Sequence, residues 1–219
     1  KNKMNKAQGY YDNGNLEWEV WHDAAGTHKH RLDGPAFIAG HENGQIEGEE
    51  WYVDGKQHRL DGPSSIDFYE TGQIKQECWC VNGKHHRLDG PALILYNENG
   101  QITQETCGVH GQIHCENGSA STRYHENGRI ESEIWIMTGD NHRLDGPAYI
   151  AYHENGQIES EEWFVYGRRH RLDGPACTGF HDNGEIKGQA YFIDGKDKNE
   201  EFEWLDIHDG MDLVTIAAM

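Results

Sequence analysis

Six residues, His-Arg-Leu-Asp-Gly-Pro, constrain this chain more than any other feature. The phrase occurs at His30–Pro35, His58–Pro63, His86–Pro91, His142–Pro147 and His170–Pro175, so its copies fall on a period of 28 residues with one gap. The gap is filled by a worn copy, His114-Cys115-Glu116-Asn117-Gly118-Ser119, and all five prolines of the chain sit in the phrase. A fixed period of this length signals a repeat array, in which each unit packs mainly on its neighbours.

Numbered from the Gly-Pro proline, six units span 35–62, 63–90, 91–118, 119–146, 147–174 and 175–202. Residues 1–34 read as a partial repeat or N-terminal cap with an insertion around Ala24-Ala25, and 203–219 as a C-terminal cap or tail. Inside each unit a second signal recurs, as in Glu42-Asn43-Gly44-Gln45-Ile46 and Glu154-Asn155-Gly156-Gln157-Ile158. Asn-Gly between apolar residues marks a hairpin, because both residues accept positive φ. The flanks are rich in β-branched and aromatic residues and have no helical spacing. A further turn follows at Asp54-Gly55 and its equivalents, and Gly-Pro resets the chain at the next strand. The expected fold is all-β: a single elongated, twisted antiparallel meander of about seven hairpin repeats. A two-residue turn sets Ile150 opposite Glu161, whereas a three-residue loop with a bulge sets Tyr152 opposite Ile158; a one-residue slip exchanges the faces. Trp51, Trp79, Trp135, Trp163 and Tyr191 recur with the period and are the expected spine, together with the isoleucines at 38, 66, 94 and 150.

These motifs resemble the MORN repeat: an Asn-Gly turn, a strand such as Glu161-Glu162-Trp163, then Asp54-Gly55-Lys56-Gln57-His58. The resemblance covers about residues 7–198. The unit here is longer than the family's usual one, and Asp-Gly-Pro replaces its Gly-x-Gly end. Longer units of this kind look like those of bacterial, phage and giant-virus proteins. The resemblance implies an elongated hairpin sheet that serves as an interaction platform. The family has also been linked to phosphoinositides, but a net charge of −19 opposes that here.

The same charge, 38 acids against 19 bases, excludes direct nucleic-acid and membrane binding and favours a protein partner with a basic surface. Five cysteines, an odd number that ignores the period, suit the reducing cytoplasm better than a disulfide framework. No apolar run is long enough to span a bilayer.

The phrase joins a base, a cation and an acid, yet its copies stand about 10 Å apart, two strands from one another. That spacing forbids shared zinc ligation and leaves no differentiated catalytic pair. No catalytic residue, metal or cofactor is expected, and no enzymatic activity. The phrase reads instead as a clip: Arg31, Arg59, Arg87, Arg143 and Arg171 reach either the glutamates two residues before each tryptophan or Asp33, Asp61, Asp89, Asp145 and Asp173 of their own phrase, while the leucine packs. The third unit breaks the rule with Cys107, Gly108, His110, His114, Cys115 and Glu116, which makes it the expected partner contact. The expected function is a non-enzymatic acidic scaffold that binds a protein, such as a phage-type inhibitor of a host protein or defence system. Two alternatives remain: a small-molecule or nucleotide sponge with a pocket near 105–124, and a structural assembly protein.

Overall fold

The computed structural model describes residues 4–116 and 118–199. The expected cap at 203–219 lies outside them. The chain forms two compact units, residues 1–112 and 113–219. In the first, the strands Asn5–Tyr10, Leu16–His22, Phe37–Gly40, Ile46–Glu50, Ser65–Phe68, Ile74–Cys78, Leu93–Tyr96 and Ile102–Thr106 lie side by side in chain order. In the second, the same holds for Ser121–Tyr124, Ile130–Ile134, Tyr149–Tyr152, Ile158–Glu162, Cys177–Phe180 and Ile186–Ala190. The protein is an all-β antiparallel meander, as the period demands.

Both registers left open by the sequence occur, in different parts of the same hairpin. Ile150 faces Glu161 along the body of the pair, and Tyr152 faces Ile158 at its tip, with the shift between Ala151 and Tyr152. The turn explains it. The amide of Gly156 donates to the carbonyl of His153 at 2.8 Å, and Gly156 takes φ of 87°. The Asn155 side chain then accepts from the Gln157 amide at 2.8 Å. A type I turn closed by a left-handed glycine needs one extra residue on the returning strand, and that residue makes the bulge.

The second turn builds a small hairpin of its own. Tyr52–Val53 pairs with Lys56–Gln57, and each later unit repeats this with its equivalents. Two successive residues, Asp54 and Gly55, have φ of 50° and 74°. That is the type I′ turn, whose twist suits a two-residue hairpin. Its first position accepts Asp54, Asn82, His110, Thr138, Tyr166 and Asp194, all at positive φ.

The most deeply buried column is not aromatic. The residue after each proline, and after Ser119 in the worn copy, is at most 1% exposed: Ala36, Ser64, Ala92, Ala120, Ala148 and Ala176. Its backbone bonds on both sides: the Ala36 amide donates to Glu50, and its carbonyl accepts from the Trp21 amide. A small residue is needed where the strand and the next hairpin meet. The largest side chain buried to below 2% is Ser64, so a thick apolar core is absent among the described residues. Stability must come from the ladder and from ties between repeats.

Left-handed backbone is costly for a β-branched residue. Thr138→Asn, which installs the residue that Asn82 already supplies at the equivalent turn, should raise the melting temperature by a few degrees, corresponding to about 1 kcal/mol. Thermal denaturation followed by circular dichroism checks this, and an unchanged or lower midpoint counts against it.

Candidate functional site

The phrase arginine is the hub of each repeat that carries it. Its Nε donates to the aspartate of its own phrase, at 2.9 Å for Arg31–Asp33, Arg59–Asp61, Arg87–Asp89 and Arg143–Asp145 and at 2.8 Å for Arg171–Asp173. Its Nη1 donates to the proline carbonyl, as from Arg31 to Pro35 at 3.2 Å. Its guanidinium lies over the tryptophan of the preceding strand, 4.1 Å from the ring centre for Arg59–Trp51, Arg87–Trp79, Arg143–Trp135 and Arg171–Trp163. The phrase glycine closes the other side. A Cβ on Gly146 would stand 2.8 Å from Arg143 Cζ, and one on Gly62 would stand 2.9 Å from Arg59 Cζ. Each guanidinium is therefore held between an indole and a bare backbone. It holds the aspartate carboxyls below their usual range, first by hydrogen bonding and then by charge.

The arginines thus choose aspartate over glutamate. The glutamates have other partners: Tyr96 Oη donates to Glu77 at 2.6 Å, and Tyr152 Oη to Glu133 at 2.8 Å. Burial first, and then that carboxylate, push the Tyr152 hydroxyl up to about 12.

The histidines tie repeat to repeat. The phrase histidine accepts at Nδ1 from the amide of the next type I′ turn, as from Asp54 to His30 at 3.2 Å and from Tyr166 to His142 at 3.1 Å. The histidine before the Asn-Gly turn reaches a carbonyl one repeat ahead: His41 to Phe68, His125 to Tyr152, His153 to Phe180. Tyr69 performs the same task toward Tyr96 at 2.7 Å. A phenol that substitutes for an imidazole shows that the position calls for a donor of a certain length.

The leucine of the phrase does not pack. Leu32, Leu60, Leu88 and Leu144 are 78–81% exposed. In the first unit, neighbouring loops enclose grooves between these leucines, one bordered by Leu32, Trp51, Arg59 and Leu60, the next by Leu60, Trp79, Arg87 and Leu88. Glu49 and Glu50 are consecutive strand residues and point to opposite faces. On the Glu50 face a groove of about 700 Å³ is lined by Glu47, Glu50, Asp67, Glu70 and Glu98 together with Lys75, and Lys29 Nζ covers the Phe37 ring on its wall, 3.9 Å from the ring centre. Lys29 approaches Glu50 at 3.4 Å. Burial raises the Asp67 carboxyl, and repulsion from Glu50 and Glu47 adds to it against the pull of Lys75.

The residues of the worn third unit are placed as follows. Cys107 is half-buried, Gly108 is buried in a short strand, and His110 occupies the type I′ turn with φ of 53° and stacks on His86, ring centres 4.6 Å apart. His114 and Cys115 are half-buried and Glu116 is exposed. The ligand-like cluster among the described residues lies elsewhere, at Cys78, Cys80 and His85. Its signal in the sequence is a pair of cysteines two residues apart, Cys78 and Cys80, followed by His85 across the second turn.

Residues 148–164 match the model of the MORN repeat variant family. No curated protein matches the chain. The matched segment is one hairpin of the meander, and the same hairpin recurs in both units, so this is a MORN-like repeat protein. The MORN repeat is generally a non-catalytic repeat. Among the described residues, no helix is long and apolar enough to cross a membrane.

Gly146→Ala should cost about 1–2 kcal/mol by overpacking Arg143. In an Arg143→Ala background the same change should be nearly neutral; a double-mutant cycle in urea reads the coupling, and additivity would refute the sandwich. Acid tests the ion pairs. The folded aspartate pKa values lie below their ordinary value of 3.8, so the stabilisation is full above that value and fades as pH falls below it. Replacing all five phrase aspartates by asparagine should flatten this acid limb of the stability–pH curve.

Proposed function

We propose that the protein is a non-enzymatic acidic scaffold that binds a partner protein through that partner's basic surface. The observation that carries this reading is the groove on the Glu50 face, where five carboxylates line one cleft beside Lys75. Crowded carboxylates repel: burial raises the Asp67 carboxyl first, and the charges of Glu50 and Glu47 add to it. A lysine or arginine side chain entering the groove relieves it, so the cleft favours cationic occupants. Phe37 and Phe68 give the stem of such a side chain an apolar wall. The exposed leucines on the opposite face add apolar contact area of a kind that soluble surfaces rarely repeat without a partner. Net charge of −19 would steer a basic partner from a distance. A scaffold of this kind acts by occupancy, and an inhibitor of a host protein is the role that occupancy would serve best.

The test is kinetic. A partner recovered from host extract and purified should associate at a rate that falls by about tenfold or more from low to high salt. Glu50→Gln combined with Asp67→Asn should lower the association rate and leave the melting temperature nearly unchanged. Association that ignores both salt and these substitutions would sink the reading.

A further inference from the structure

The second repeat carries a constellation that the other repeats lack. Strand Ile74–Cys78 leads into Cys80–Val81, which pairs with Lys84–His85 across the type I′ turn, so that Cys80 and His85 are direct cross-strand partners. Cys78 Sγ lies 3.5 Å from Cys80 Sγ and 3.7 Å from His85 Nε2. All three donor atoms lie within 4.8 Å of one another. Cys78 and Cys80 are 6% and 2% exposed, while His85 is exposed and closes the cluster on its solvent side.

The backbone, not chance rotamers, brings these positions together. In the fifth repeat the equivalent residues are Glu162, Phe164 and Arg169, and the Arg169 guanidinium meets the Glu162 carboxylate at 2.8 Å. The neighbouring repeat leaves room for the ring. A Cβ on Gly108 would stand 3.0 Å from His85 Cβ and 3.1 Å from Ala92 Cβ. The equivalent of Gly108 is Tyr52, Ile136, Phe164 or Phe192 in other units, and side chains of that size would displace His85.

We propose that Cys78, Cys80 and His85 form a site for a thiophilic divalent cation of the zinc class. Zinc holds thiolate sulfur at about 2.3 Å and imidazole nitrogen at about 2.0 Å, which sets tetrahedral ligand pairs about 3.5–3.8 Å apart. The separations of 3.5 Å between the sulfurs and 3.7 Å from Cys78 Sγ to His85 Nε2 lie close to these, and the remaining pair lies within 4.8 Å. Binding converts two thiols to thiolates and releases two protons to solvent, while neutral His85 donates its Nε2 lone pair. The Ser64 hydroxyl accepts the Cys80 amide at 2.9 Å and donates to the Cys78 carbonyl at 3.1 Å, fixing both cysteines from behind. The fourth coordination position opens to solvent beside His85 and is left to water.

Cobalt(II) is the probe, added to the whole chain after reduction and chelator treatment. One equivalent should produce thiolate-to-cobalt charge transfer and tetrahedral d–d bands, which zinc then abolishes. Zinc should also raise the melting temperature, by an increment that grows with the logarithm of its concentration over its Kd. Cys78→Ser and Cys80→Ser should each abolish the bands, and Cys177→Ser should leave them intact. His85→Gln should weaken binding by at least about tenfold, the scale seen even for outer-shell losses. Because a serine variant can fail to fold, a swap to the residues of the first repeat, Cys78→Glu with Cys80→Tyr and His85→Gln, supplies a fold-compatible control that should bind no cobalt. The proposal falls if the reduced protein gives no cobalt bands, if the bands survive that swap, or if the cysteines only form a disulfide under mild oxidation.

Discussion

A guanidinium pressed between an indole and a glycine holds in register each repeat that carries the full phrase. The arginine has three claims on it: the aspartate of its own phrase, the proline carbonyl, and the tryptophan of the preceding strand. Only a planar cation with donors on two edges satisfies all three. A lysine would keep the charge and lose the stack and the fork. The glycine is required because nothing larger fits beneath the plane, and the proline because its carbonyl is fixed where the second donor points. The phrase is therefore one mechanical object. In a sheet whose largest fully buried side chain is a serine, such objects replace the apolar core that a globular domain would use.

The hairpins were legible because turn chemistry is local. Asn155-Gly156 declares its turn whatever surrounds it, and Gly-Pro declares the restart. The bulge at Ala151/Tyr152 was not legible, because both registers satisfy the apolar pattern and the hairpin uses one along its body and the other at its tip. The arginine's partner was open for a related reason. Aspartate and glutamate were both in reach, and the short aspartate two residues away wins because its carboxylate meets Nε without bending the chain. The leucine was misread. An apolar residue in every copy suggests packing, but the arginine has already filled the space above the tryptophan, so the leucine is turned outward.

The site residues were the least legible. Cys78 and His85 are seven apart, a spacing that means nothing in an isolated strand. It acquires meaning once the type I′ turn folds 84–85 onto 80–81. The acidic groove was hidden in the same way, since Glu50, Asp67 and Glu98 come from different repeats and meet only in the sheet. Periodicity shows what every unit shares. The chemistry of this chain lies in what single units do not share, and that is visible only when the units are laid against one another.

The ties between repeats reach a fixed distance along the chain. Phrase histidines accept from an amide 24 residues on, and turn residues such as His41, Tyr69, His125 and His153 donate to a carbonyl 27 residues on. In the N-terminal partial repeat the reach stretches to 29, from Tyr11 to Gly40, matching the two extra residues around Ala24-Ala25. An in-frame exchange that removes or duplicates one whole period leaves every donor facing the same kind of acceptor. Array length is thus open to recombination in a way that the length of a globular domain is not. Adding or removing one whole period would change how many exposed leucines the array presents without requiring a new kind of contact.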